Sequence, residues 1–264
     1  GREVTIRDSE FRRNGQDERE HHQVLLRCAS ECQDIRILNN EFRHSSLSEE
    51  GLCGRSPIMA SGQIDGMTIQ GTDIDSSQDG ARSNCYGIEY STSLNGPQYA
   101  RNIFVRGNRL TDPGRRGISF STCTSCVVEN NLIVRDRSGS FAAIYFPDRG
   151  GMQDGRNSEI TLRNNSVYAG PSSSGLVIGI QLEGDPGSNH VVVNNLLALM
   201  TDRAQACCIE QTFGRDPVGP YAIMDYNACT SLESNNRFNW ARGYAGLMNW
   251  QLQTGLDTHS SQAD

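Results

Sequence analysis

Tyr145, Arg116 and Arg149 are the side chains whose types could together move a carbon-bound proton. An arginine beside a sugar carboxylate neutralises it and so acidifies the neighbouring C5 proton, while a tyrosine or a second arginine exchanges protons with C5 and the leaving oxygen. That chemistry is β-elimination of a uronate. Arginine is ordinarily fully protonated, so using it as a base demands a special environment. Glu183 and Glu210 form a second set. Paired carboxylates can act as acid and base in glycoside hydrolysis, or together chelate Ca²⁺; as outward glutamates on a strand they can equally be plain solvated side chains. No resident metal or other cofactor is assigned, because His21, His22, His44 and His259 show no metal-binding spacing. Glu89, Ser119, Gln181, Glu183, Glu210 and Asp148 are the expected substrate contacts. Many weak, directional polar partners in a shallow groove suit an extended sugar chain rather than a compact apolar ligand.

These residues share a surface only if the backbone repeats, and it does. The segments 35–42, 103–110, 126–133 and 160–167 superimpose without gaps, and 4–11, 67–74, 190–197 and 222–229 fit the same template. Each carries a small polar anchor: Ser9, Asn40, Thr72, Asn108, Asn131, Asn165, Asn195 and Asn227, at intervals of 31, 32, 36, 23, 34, 30 and 32 residues. Apolar residues alternate before the anchor, as at Ile103 and Val105, and one follows two places after it, which is strand periodicity interrupted by a bend. A further strand precedes most units, as at 87–90, 117–120, 143–146, 179–182 and 208–211. Each unit of about 31 residues is therefore one coil of a right-handed parallel β-helix, and an anchor repeated in every coil stacks into an Asn ladder. The expected fold is all-β, a three-sheet solenoid of about seven coils over residues 1–233, with a C-terminal tail at 234–264 packing on or capping the last coil. His190 falls in an inward slot that isoleucine fills in other coils, so a core imidazole is expected there. The first-strand sheet turns Glu89, Ser119, Tyr145, Gln181 and Glu210 outward, one per coil, with Glu183 and Glu210 on a diagonal.

Composition narrows the chemistry. All 24 basic residues are arginine, which removes lysine bases, Schiff-base lysines and P-loop lysines. A net charge of −7 argues against a general nucleic-acid partner, and no apolar run is long enough for a membrane span. Arginines concentrate between residues 101 and 163, a basic waist between acidic ends. The nine cysteines do not form a zinc site, because Cys28–x3–Cys32 and Cys123–x2–Cys126 lie coils apart and each pair is half a site. Local disulfides within these pairs are expected, Cys53 and Cys85 are another candidate bridge, and Cys229 is the expected free thiol. Disulfides place the protein in a secreted or periplasmic compartment. The chain opens on a strand, Val4 to Ile6, so exposed rung edges are expected to promote self-association through the solenoid ends.

The coil pattern resembles the parallel β-helix repeat proteins of the pectate-lyase-like superfamily across nearly the whole chain. Asp225-Tyr226-Asn227, with Trp250, Thr254-Gly255-x-Asp257-x-His259-Ser260 and Ala263-Asp264, looks like the closing block of such proteins. The resemblance implies a polysaccharide partner and carbohydrate chemistry: lyase, hydrolase, esterase or epimerase. The polygalacturonase, classical pectate lyase and mannuronan epimerase signatures are all missing, and the Lys–Arg pair of alginate and chondroitin lyases cannot exist here. Three functions follow: an acidic-polysaccharide binder that cleaves by β-elimination, a non-catalytic surface, adhesion or phage-associated module, and a glycoside hydrolase using Glu183 and Glu210.

Overall fold

A computed structural model describes residues 2–12, 22–43, 56–77, 86–92, 98–147, 157–183, 187–201, 204–212, 221–232, 238–240 and 243–263. The chain winds as a parallel β-solenoid. A partial coil, β1 (Arg2–Arg7) and β2 (Glu10–Arg12), leads into β3 (Val24–Leu38) with β4 (Glu41–Arg43), and then β5 (Ile58–Gln70) with β6 (Asp73–Asp75). From there each coil has three separate strands: β7 (Tyr86–Tyr90), β8 (Tyr99–Arg106) and β9 (Arg109–Thr111), then β10 (Arg116–Phe120), β11 (Cys123–Glu129) and β12 (Leu132–Arg135). Next come β13 (Phe141–Phe146), β14 (Ser158–Arg163) and β15 (Ser166–Ala169), followed by β16 (Gly175–Glu183), β17 (His190–Val193) and β18 (Leu196–Leu199). The last full coil is β19 (Ala204–Thr212), β20 (Tyr221–Asp225) and β21 (Ala228–Ser231). The chain closes with the antiparallel pair β22 (Phe238–Trp240) and β23 (Gly243–Ala245), one helix α1 (Leu247–Thr254), and β24 (Ser261–Ala263).

The three expected sheets are two in hydrogen-bonding terms. The third strands form a 9-stranded parallel sheet, whereas first and second strands belong to one 15-stranded sheet. The cause is β3 and β5, where first and second strands run on without a break.

The anchors stand in single file, and all but Ser9 are buried. Asn108 Nδ2 donates to Asn131 Oδ1 at 2.9 Å, Asn131 to Asn165, Asn165 to Asn195 and Asn195 to Asn227, each at 3.0 Å. Each acceptor oxygen also takes the main-chain N–H of the preceding anchor, and each Nδ2 also reaches a strand carbonyl, as Asn165 does to Val128 at 2.9 Å. The residue just before every anchor adopts positive φ: Asp8, Asn39, Gly71, Gly107, Asn130, Asn164, Asn194 and Tyr226. Asn, Asp and Gly tolerate that left-handed geometry best, which accounts for the Asn-Asn pairs. Tyr226 is the bulky exception, and its ring stacks on His259 with centroids 4.9 Å apart.

Inside, isoleucines and valines stack coil on coil with rings at the corners: Tyr90, Phe120 and Phe146 follow one another at 6.3 Å between centroids. His190 takes the inward slot, where its Nδ1 accepts the Ile160 N–H at 3.3 Å and burial pushes its pKa down to about 4. At the far end Trp250 of α1 lies fully buried against Phe238. Its indole N–H donates to Asp257, which also receives Asn227 Nδ2, while β24 pairs with β21. The closing block thus continues the ladder.

Both local disulfides form, Cys28–Cys32 and Cys123–Cys126. The free thiol is a correction: Cys229 is bonded to Cys208, while Cys207 is buried with its Sγ donating to the Ile209 carbonyl at 3.2 Å. Cys208 and Cys229 both point into the lumen from strands of the same coil, whereas Cys207 joins a separate cluster with Ala142 and Ile178. Cys53 and Cys85 lie outside the described residues.

Candidate functional site

The outer face of the first-strand sheet is shaped by an interruption of strand alternation. In each coil two consecutive residues face the lumen, as Ala143 and Ile144 or Cys208 and Ile209 do, so the residues on either side of the pair both turn outward. Glycine fills the first inward place in several coils, and at Gly117 a Cβ would lie 2.4 Å from the Ala143 carbonyl oxygen of the next coil. Two outward rows result. One places Arg116 in register with Ala142, then Ile178 and Cys207. The other aligns Glu89, Ser119, Tyr145, Gln181 and Glu210, the file expected from the repeat.

The structure joins these side chains into one network. Tyr145 donates its hydroxyl to Glu183 Oε2 at 2.6 Å. Gln181 Nε2 donates to Glu183 Oε1 at 3.1 Å and to Glu210 Oε2 at 2.6 Å. A single nitrogen within reach of both carboxylates holds their nearest oxygens under ~6 Å apart. Burial, and then the hydrogen bond to Glu183, push the Tyr145 pKa up, so the phenol remains a protonated donor. The Arg116 guanidinium lies 4.3 Å above the Tyr145 ring, and Nη1 donates to the Arg115 carbonyl at 3.2 Å. Glu89 accepts from Ser56 Oγ at 2.6 Å.

Arg116 is the most unusual member. It is 9% exposed, its Nε has no hydrogen-bond partner, and it makes no ion pair among the described residues. Gln181 presents a second orphan on the same face, since its Oε1 is buried without a partner. The face is also more enclosed than a shallow groove: Ser119, Gln181 and Glu210 are buried, while Glu89, Tyr145 and Glu183 are half-buried.

Arg116 owes its place to a residue that the sequence did not single out. Arg135, at the end of β12, is buried with its pKa pushed down to about 10 by burial. Its guanidinium stacks on Phe141 at 5.1 Å and donates to the carbonyls of Pro113, Gly114 and Ser138. Pro113 and Gly114 lead directly into Arg115 and Arg116. Arg137 binds the same segment through the Asp112 carbonyl at 3.1 Å. Nothing in residue type or spacing marks Arg135 for this task; only its buried position does.

No protein-family model, curated protein or solved structure matches the chain. The geometry therefore carries the functional reading alone. Arg116 stands in the neighbouring row, with its guanidinium over the Tyr145 ring. The Tyr145–Glu183 bond was legible in principle, because Glu183 is two residues beyond Gln181, the register partner of Tyr145. Arg149 and Asp148 lie outside the described residues. Among the described residues no three His, Cys, Asp or Glu side chains converge to hold a metal, and no helix is long and apolar enough to cross a membrane.

Proposed function

We propose that this solenoid is a carbohydrate-active β-helix protein of the pectate-lyase-like kind that binds an acidic polysaccharide along the outer face of its first sheet. The observation that carries the reading is Arg116, a nine-tenths buried cation with no carboxylate paired to it among the described residues. Burying an unpaired charge is costly, and a uronate carboxylate is the bidentate partner a guanidinium fits best. The hydroxyl and amide groups alongside it suit sugar hydroxyls. The three disulfides among the described residues favour a secreted or periplasmic setting.

With the carboxylate neutralised at Arg116, Glu183 is placed to accept the C5 proton. Tyr145, kept protonated, donates to the leaving oxygen as the C4–O bond breaks, and recovers a proton from Glu183 through their hydrogen bond. This assigns Tyr145 the acid's role and removes the need for an arginine base. A second reading, retaining glycoside hydrolysis, is favoured by the Gln181 bridge, because carboxylates ~5 to 5.5 Å apart suit that mechanism.

Incubation with pectate, alginate and glycosaminoglycans, with and without Ca²⁺, separates the readings. Absorbance from unsaturated uronates that disappears in Arg116→Ala and Tyr145→Phe supports elimination. Reducing ends without that absorbance, lost in Glu210→Gln, support hydrolysis, and binding without either product supports a non-catalytic module. Failure to bind any acidic polymer overturns the proposal.

A further inference from the structure

The outer face of the third sheet holds no part of the site on the first, and its composition changes abruptly along the axis. Each third strand turns two residues outward, one on either side of a lumen residue such as Ile133, Val167 or Leu197. In the early coils these pairs are Glu10 and Arg12 of β2, Glu41 and Arg43 of β4, and Asp73 and Asp75 of β6. Arg109 and Thr111 of β9 follow. Beyond them the pairs become Leu132 and Val134 of β12, Ser166 and Tyr168 of β15, and Leu196 and Ala198 of β18, with Ala228 and Thr230 of β21 next. From β12 to β21 no outward residue is charged, although Leu132, Tyr168 and Leu196 are exposed and the chain carries a net charge of −7. A flat apolar stretch on such a chain is a contact surface, and the order of its side chains identifies the partner.

The strand registers stack the pairs into two files, the first members in one and the second members in the other. A two-fold axis lying in this face, parallel to the solenoid axis, sets the first file of one copy over the second file of another, coil for coil. Large then meets small. Tyr168 falls opposite Ser166 of the second copy, Leu196 opposite its Ala198, and Leu132 opposite its Val134, the alternation on which facing sheets interdigitate. Opposite charges meet in the early coils, Glu10 over Arg12 and Glu41 over Arg43. Asp73 falls opposite Asp75, and within each copy Arg43 already holds both carboxylates, at 2.9 and 3.1 Å. Running the copies in opposite directions in full overlap would instead lay the charged strands on the apolar ones, which is costly.

We propose that the third sheet is a dimerisation face on which two copies of this chain pack side by side and parallel about that two-fold axis. Nine strands ~4.8 Å apart and about four residues long give a face of roughly 38 by 13 Å, about 500 Å² per copy. A total of about 1,000 Å² is at the lower end of specific interfaces, so the dimer is reversible, with a dissociation constant on the order of 10 µM.

Sedimentation velocity of the full chain in non-reducing buffer, from about 1 to 200 µM, tests this, and a shift from the monomer to twice its mass is expected across that range. Leu196→Arg brings like charges together at the axis and is expected to weaken the dimer at least about tenfold. Leu196→Ala leaves a gap and Ala198→Leu sets leucine on leucine, so each alone is expected to weaken it about tenfold, whereas the double variant again opposes large with small and returns to within about threefold of the wild type. Circular dichroism confirms that these variants of outward residues are folded. Wild-type protein that stays monomeric throughout, an association indifferent to Leu196→Arg, or a double variant no tighter than the single ones overturns the inference.

Discussion

His190 is a histidine in an isoleucine's place, and its consequence is a pH dependence. Burial lowers its pKa to about 4 from an unfolded value of 6.5, so the unfolded chain binds the extra proton between those limits. Stability from this residue is fully present above pH 6.5 and is lost as the pH falls toward 4, by up to ~3 kcal/mol. Urea unfolding across that range should show the loss, and His190→Gln should flatten it. Asn165 makes the corresponding point for the ladder. Asn165→Ala leaves the Asn131 N–H buried without its acceptor, an expected loss of ~1 to 3 kcal/mol in the same measurement. Both roles were legible from the repeat alone, because position in the template decides them. The orphaned atoms of Arg116 and Gln181 were not, since satisfaction depends on where neighbouring side chains end.

Among the elements, α1 and β24 show how the last coil is finished. Trp250 covers the lumen while its indole N–H and Asn227 Nδ2 both donate to Asp257. Asp257→Asn presents an amide NH₂ where an acceptor is required, so even this isosteric change should lower stability by ~1 to 3 kcal/mol, read as a lower unfolding midpoint. The segment ahead of β10 is a comparable case. Arg135→Met keeps much of the packing on Phe141 but frees the Pro113 and Gly114 carbonyls. Binding of acidic glycan should weaken about tenfold, while Arg135→Lys restores part of the affinity. Strand positions and register followed from apolar alternation, whereas the fusion of first and second strands in β3 and β5 did not. Whether the chain bends or continues between them is decided by backbone conformation at residues such as Gly62 and Gly66, both at positive φ.

At the scale of the molecule, each coil touches chiefly its neighbours, so stability is roughly a sum of coil and interface contributions. The Cys208–Cys229 bond spans 21 residues and ties the first strand of its coil, β19, to the third, β21, across the lumen. Losing this one bond should lower stability by ~3 kcal/mol, read as a lower unfolding midpoint in Cys208→Ser. Its identity was missed because the repeat showed Cys229 facing inward without showing that Cys208, one place after Cys207, faces it.

The amides of the ladder all point one way. Each turns its NH₂ toward the next coil, from Asn108 through Asn131, Asn165 and Asn195 to Asn227, whose own NH₂ ends on the carboxylate of Asp257. Their dipoles therefore add, with the positive end against a buried anion whose pKa burial raises. The file behaves as a polarised wire, so a break at any rung should be felt electrostatically at the far cap as a carboxyl group that takes up its proton more readily.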